Sequence, residues 1–423
     1  MKKNIIQSVF VSEETNTKNN FLWNTVGTGM LAAATMFFTV IVAQLLGEKA
    51  GGLFSFALAI GQWIGTIAYF EIRTFQVTDI ARTYGYSDYF FAKVICCTAA
   101  VLAGGIYILF QGNTAEKCMI LALLCIYKIL DGYSDVQEGE LQRYGRIDIA
   151  GKLLFWRVAG GILVLTGVIL LTHNLAIAVI SMIFYSACLI FVVNQKVLQL
   201  YEKERLVFQW RKVRNVLKEC LPLFLSCFFN TYVYSASRMS VDKVLDANYQ
   251  LYYAAIFMPV MIINLFSTFV FKPLLSVMAE DYENRRKKQF LQVIFKVVAV
   301  IIAVAGICII GAWLLGIPVL SILYGISLKK YKADLLILLL AGGVNALAFF
   351  LYYILTIMRK QNYALIGYGV EAITAFLISD RFVRKYAIRG ASLSYLVSVT
   401  VLLAVFMLFI IYDMWRGKKK NET

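Results

Sequence analysis

The sequence predicts an all-α, polytopic membrane protein of about twelve transmembrane helices in two pseudo-symmetric six-helix lobes, and three observations carry that expectation. Of 423 residues, 60% are hydrophobic and 16% charged, with four prolines and a mean hydropathy of +0.72, a balance that no soluble core accommodates. Apolar runs long enough to cross a bilayer, about 20 residues each, recur along the whole chain. They lie near 21–46, 52–72, 91–111, 117–136, 152–171, 175–194, 219–241, 250–272, 291–316, 333–357, 363–380 and 391–412. The third observation is an internal rhyme. Residues 45–58 (LLGEKAGGLFSFAL) align without a gap on 244–257 (VLDANYQLYYAAIF), so that an apolar run, a polar elbow and an aromatic-rich run occur twice, and Arg73 falls on Lys272. Transporters are commonly built from such repeats.

The formal charge of +16 raises the question of a nucleic-acid partner, which the distribution of the charges answers. With the N-terminus inside, 29 of the 41 Lys and Arg residues fall in cytoplasmic segments or at their edges and 11 on the outer side. This asymmetry places both termini in the cytoplasm of a multi-pass protein of the cytoplasmic membrane. It assigns the basic excess to topology and to membrane lipids, with no nucleic acid. Arg381, Arg384, Lys385 and Arg389 are the exception, in the last outer loop. All eight cysteines lie in or beside apolar runs without CxxC spacing, and read as packing residues.

In chain order, the first 20 residues read as a short surface helix leading directly into the first span, without a cleaved signal peptide. Gly61 and Gly65 make a small-xxx-small face for helix packing. Residues 71–82 (EIRTFQVTDIAR) bring Glu71, Arg73, Asp79 and Arg82 to the inner membrane surface. The fourth span closes with Lys128, Asp131 and Asp135, spaced so that they share a helix face and can neutralise one another. Arg157 lies about one turn inside the fifth span, where it either takes part in a site or snorkels to the surface. His173 reads as a turn residue. The charged linker at 195–218 divides the chain into lobes 1–200 and 201–423.

The second lobe opens on the stretch 219–273. Arg238 sits near the outer end of its first apolar run and Lys272 closes its second, with Asp242 one turn from Arg238. A charge at such depth costs about 2.5–3.5 kcal/mol on insertion scales and is kept mainly where it faces protein or a wet cavity. Residues 316–334, with Pro318 and a turn at Tyr324 and Gly325, suggest an outer interfacial helix broken off from the ninth span. Glu371 is a carboxylate within a span, open to two readings: an ion site, or a partner for Arg381.

No phosphate-binding loop, HExxH, GxSxG or Cys/His metal spacing occurs, and the outer loops are short. The sequence therefore predicts no enzyme, no cofactor and no ATP-driven pump. A polytopic polysaccharide polymerase would show a large outer loop with catalytic side chains, and a drug/cation antiporter would favour acidic residues where this chain offers mostly basic ones.

Four stretches, RTFQVTD at 73–79, SDVQEGELQRYGRIDIAGK at 134–152, RMSVDKVL at 238–245 and YYAAIFMPVMIINLFSTFVFKPLL at 252–275, resemble the Wzx-type polysaccharide flippases of the multidrug/oligosaccharidyl-lipid/polysaccharide exporter superfamily. The resemblance implies two six-helix lobes around a cavity that opens alternately to either side. The cargo it implies is an oligosaccharide on a polyprenyl diphosphate, turned over for cell-surface polysaccharide synthesis alongside polymerase or assembly proteins. The positions matching the family's cationic residues are Arg73, Lys128, Arg157, Arg238 and Lys272. Asp79, Asp135, Asp242 and Glu371 remain as ion-coupling or pairing residues.

Overall fold

The structure is a computed structural model that describes residues 10, 17–79, 81–110, 114–203, 205–284, 286–358 and 360–420, so the surface helix expected over the first 20 residues lies largely outside the described residues. Every regular element among the described residues is helical. They are α1 (Thr17–Leu46), α2 (Glu48–Tyr69), α3 (Ile72–Thr78), α4 (Tyr86–Phe110), α5 (Ala115–Arg143), α6 (Ile147–Thr172), α7 (Leu175–Cys188) and α8 (Gln195–Leu198). There follow α9 (Trp210–Val244), α10 (Ala247–Glu283), α11 (Lys287–Gly311), α12 (Ile317–Tyr324), α13 (Lys332–Ile357) and α14 (Gln361–Lys420). Among the described residues nine helical segments are long and apolar enough to cross a membrane. The Asn362–Asp413 segment is in fact two arms, because Ala387 breaks α14 with φ 50° and ψ −129°. Helix α5 falls short only through its charges, and the Ala247–Ile263 part of α10 through its length. Together these account for the twelve expected apolar runs.

The chain packs as two compact units, Met1–Phe228 and Phe229–Thr423. In the first, α1 lies on α6 and α2 on α5, with α4 and α7 completing the bundle. Glycines let the backbones meet. A Cβ at Gly61 would stand 2.9 Å from the Leu124 carbonyl oxygen and one at Gly65 3.2 Å from the Lys128 Cβ, so the small-xxx-small pair is the contact face of α2 on α5. Across α1 and α6, a Cβ at Gly27 would stand 2.5 Å from the Gly151 oxygen, whereas Gly29 has open space. Gly27→Ala is therefore expected to lower stability by about 1–3 kcal/mol by forcing the two backbones apart, and Gly29→Ala to leave the unfolding midpoint of the detergent-solubilised protein unchanged.

The charged linker belongs to the polar end of this unit. Val197, Leu198, Val213, Val216 and Cys220 are buried in one cluster with Tyr86, Tyr89, Val136 and Leu141. Arg211, Lys212 and Arg214 lie on the exposed face of the same stretch. His173 closes α6 as an exposed left-handed cap, as expected of a turn residue, and all eight cysteines are free.

In the second unit α10 and α14 both pack on α13, and the α13–α14 face is built around Ala348, Leu355, Tyr368, Leu402 and Phe406. The expected break before 316–334 is corrected. Helix α11 runs through a π-helical turn, Ala312–Gly316, directly into α12, and ends at a left-handed Gly325. Pro318 does not interrupt it because it follows the π-helical turn directly, where the hydrogen-bond ladder is already shifted out of the α register.

Candidate functional site

The helix breaks at Phe70 and Glu71, two consecutive non-glycine residues in the left-handed region (φ 46° and 53°). Such residues persist only where surrounding structure holds them, and here the holder is Lys93 of α4. Its ammonium donates to the Tyr69 carbonyl at the end of α2 (2.8 Å), a cation at a helix C-terminus, and pairs with Asp135 (3.4 Å). Beyond the break α3 continues along α5 in the direction of α2, and α5 presents Lys128, Asp131, Asp135, Glu138 and Gln142 at spacings of three to four residues, one stripe of a helix. Helix α6 supplies Arg157 from the other side.

These residues form one buried ionic network. Arg157 pairs with Glu138 through Nη1 (2.9 Å) and with Asp131 through Nε (3.3 Å), and also donates to the Ser134 hydroxyl. Lys128 pairs with Asp131 (3.2 Å). Arg73 donates to Glu138 Oε2 (2.9 Å), Asp135 Oδ1 (3.4 Å) and Gln142 Oε1 (3.2 Å). Glu138 is the hub, receiving Arg157 and Ser134 on one oxygen and Arg73 on the other. Lys93 is fully buried, Arg157 and Glu138 are each 3% exposed, and Arg73 is the most open member at 24%. Four cations thus face three carboxylates. Taking such charges out of water costs several kcal/mol each, which only close pairing and hydrogen bonding offset.

A second tier continues toward the polar end. Gln76 donates to Glu140 (2.7 Å), which also pairs with Arg143 (3.1 Å), and Arg143 stands 4.0 Å from Asp79. Asp79 follows α3 and caps the turn after it, accepting from the Thr83 and Tyr84 amides (3.0 Å each) and the Tyr89 hydroxyl (2.9 Å). Desolvation raises its pKa, but these three donors outweigh it and hold the carboxyl below its ordinary value. A depressed folded-state pKa contributes stability that is present above the unfolded value, about 3.9, and is lost as pH falls through the folded value. Asp79→Asn is therefore expected to flatten the loss of stability below about pH 4, measured as unfolding midpoint against pH.

The structure thus brings Arg73, Lys128, Arg157 and Asp135 together, with Asp79 one tier away. Arg157 does not snorkel, and Asp135 pairs with Arg73 and Lys93 rather than with Lys128. Arg238, Asp242 and Glu371 belong to the second unit, and the side chain of Lys272 lies outside the described residues. Arg238 is 6% exposed on α9, with its guanidinium 6.0 Å from the Phe257 ring centre and its backbone carbonyl held by Gln250 Nε2 (2.7 Å). Asp242 is half-buried one turn later. Glu371 is buried, and its Oε2 has no hydrogen-bond partner among the described residues. The alternative pairing with Arg381 is corrected, because that exposed residue lies ten positions along the same helix, about 15 Å away.

Lys93, Glu138 and Glu140 are among the members of the two tiers that were not singled out in the sequence. Lys93 reads as an ordinary charge at the edge of an apolar run, and Glu138 and Glu140 fall beyond the expected end of the fourth span at 136, although α5 continues to Arg143. The available signal was the dense alternation of acidic and basic residues in 128–143, too polar for a span and too regular for a loop. Among the described residues no group of three His, Cys, Asp or Glu side chains is placed to hold a metal ion.

Comparison with solved structures identifies the architecture. An inward-facing multidrug resistance MATE family transporter of the MOP superfamily superposes with a TM-score of 0.64, at 14% identity and over 98% of both chains. The fold is that of the MATE transporters. An outward-facing structure of such a transporter gives a TM-score of 0.60 at 13% identity, over 95% of this chain and 96% of the other. A MOP superfamily transporter from Pyrococcus furiosus, whose reverse polarity of the binding pocket suggests a different function, gives 0.54 at 13%, over 93% and 94%. At the sequence level, the chain is 21% identical over 393 residues to the capsular polysaccharide biosynthesis protein CapF of Staphylococcus aureus, covering 90% of this chain and 96% of that protein. No protein-family model matches the sequence. The structures it resembles are transporters rather than enzymes.

Proposed function

We propose that this protein is a flippase that moves a polyprenyl-diphosphate-linked oligosaccharide across the cytoplasmic membrane for cell-surface polysaccharide synthesis. The observation that carries the reading is the net positive first tier of the ionic network in the first unit, Arg73, Lys93, Lys128 and Arg157 against Asp131, Asp135 and Glu138; the second unit separately buries Arg238. The similarity to CapF, a capsular polysaccharide biosynthesis protein, supports a role in polysaccharide synthesis. A diphosphate carries about two negative charges, and each opposite charge 4 Å away attracts with about 4 kcal/mol at an effective dielectric of 20. Outward movement of negative charge also follows an inside-negative potential, worth about 2.3 kcal/mol per charge per 100 mV. Arg73, the network's most open member, is the natural first contact for an anion in the first unit. Lys272, on α10, is retained as a further candidate contact on its position in the sequence.

A second reading, a drug or cation antiporter, is favoured by the three buried carboxylates, which leave the first unit's network less basic than its sequence suggests, and by the multidrug resistance transporters of the same fold. Vesicles containing the purified protein separate the two. Labelled lipid-linked oligosaccharide is expected to gain protection from an external glycosidase faster with protein than without it, and faster still under a potential that drives negative charge in the same direction. Efflux of an organic cation with no movement of the lipid would overturn the proposal. The flippase reading also requires both termini in the cytoplasm. Lys420→Cys in a cysteine-free background is expected to resist a membrane-impermeant thiol reagent in intact cells, and labelling from outside would reverse the topology.

A further inference from the structure

A cavity of about 520 Å³ opens at the polar end of the first unit, apart from the ionic network. Its walls are mostly aromatic and aliphatic: Tyr86 and Phe90 of α4, Tyr133 of α5, and Phe191 and Leu198 from the end of α7 through α8, with the Gln195 side chain among them, accepting from Gln137 (3.2 Å). Phe191 lies in a π-helical turn, Leu189–Asn194, a local widening often found where a helix serves a site. The linker forms the rim, contributing Gln199, Glu202, Lys203 and Leu206. It is fixed rather than draped, because Ser87 donates to the Arg205 carbonyl (3.4 Å) and accepts from the Val207 amide (3.2 Å). Glu202, the rim's carboxylate, accepts the Tyr144 hydroxyl (3.1 Å).

Beyond the rim the linker is amphipathic in an unusual way. Leu206, Val207, Phe208 and Trp210 are 44–56% exposed, while Lys203, Arg205, Arg211 and Arg214 are exposed among and just after them. Water does not favour such an apolar run, but a membrane interface does, with rings and aliphatic chains in the acyl boundary and cations at the phosphates. An apolar cavity with a lysine at its mouth, beside a basic interfacial strap, has the chemistry of a lipid with an acyl chain below and a negative head group above. A free phosphate would leave the aromatic walls unused, and a neutral hydrocarbon would leave the cations unused.

We propose that this cavity is a binding site for one anionic phospholipid, an acyl chain lying against Phe90, Tyr133 and Phe191 and the phosphate meeting Lys203. The site is independent of the cargo and ties the linker to the membrane surface. Native mass spectrometry of the detergent-solubilised full chain tests it, with phosphatidylglycerol and phosphatidylcholine of identical acyl chains as probes. The wild type is expected to retain one phosphatidylglycerol with about tenfold preference, and Lys203→Glu to lose that preference. Lys196→Glu, an equal charge change at an exposed residue that does not line the cavity, is expected to keep it. Gln199→Trp, which fills the mouth, is expected to lose both lipids, with Lys203→Ala as a milder second variant should either change unfold the protein. Equal retention of the two lipids by the wild type, or equal effects of Lys196→Glu and Lys203→Glu, would overturn the proposal. So would lipid binding that appears only after residues 1–9 are deleted, because the cavity would then be filled by the start of the chain itself.

Discussion

Replacing Glu138 by Ala is expected to cost about 3–5 kcal/mol of folding stability, read as a large fall in the unfolding midpoint of the purified protein. Glu138 receives Arg157 and Ser134 on one oxygen and Arg73 on the other, at 3% exposure. Its removal leaves four cations facing Asp131 and Asp135 alone, in a place that water does not reach freely. Arg157 keeps the Ser134 hydroxyl and a single carboxylate, Asp131 at 3.3 Å, already shared with Lys128. The reciprocal change discriminates a network from a list of contacts. In Glu138→Ala/Arg157→Met the uncompensated guanidinium is gone as well, so the double variant is expected to be more stable than Glu138→Ala, with a coupling in the range of about 0.5–3 kcal/mol for residues in one network. Strict additivity would mean that the two side chains do not depend on one another.

Arg238→Ala is expected to lower transport by about tenfold to a hundredfold, the loss of one hydrogen bond of a charged group to the cargo, while the protein stays folded. Arg238 is buried on α9 against the Phe257 ring, close to the buried Tyr253 and Tyr324, so truncation removes a charge without opening the helix. Lysine at this position keeps a point charge but not the planar fork, and is expected to retain part of the activity. A local bridge to Asp242 would give a different pattern. If the pair were only structural, the double variant Arg238→Ala/Asp242→Ala would recover transport, whereas a guanidinium that meets the diphosphate leaves the double variant inactive. Initial rates of lipid-linked oligosaccharide movement in vesicles, normalised to protein level, give the measurement. Full activity of Arg238→Ala would end the role proposed for this residue.

Much of the architecture was legible because membrane insertion is a local property. Each apolar run must satisfy its own backbone in lipid, so length and hydropathy located the spans, and the spacing of Gly61 and Gly65 marked the face of α2 that meets α5. Hydropathy ends the fourth apolar run near 136 because it counts Glu138 and Glu140 as exposed charges, and it says nothing of the helix beyond. In the fold, Glu138 is neutralised by Arg73 and Arg157, and Glu140 is paired with Arg143 and hydrogen-bonded by Gln76, while α5 continues to Arg143. Lys93 was hidden for a related reason: its partners, the Tyr69 carbonyl and Asp135, are 24 and 42 residues away in the chain.

The sequence by itself determined the fold class, the approximate spans and the presence of costly charges at Arg73, Lys128, Arg157 and Arg238, since hydrophobic length and the price of burying a charge depend on composition within a single turn or span. Only the tertiary structure decided which of those charges are neutralised and by what. The left-handed break at Phe70 and Glu71 sets Arg73 against α5, Lys93 crosses from α4, and Glu138 becomes the hub. An ion pair falls off over a few ångströms while its partners are dozens of residues apart in the chain, so no local pattern encodes it.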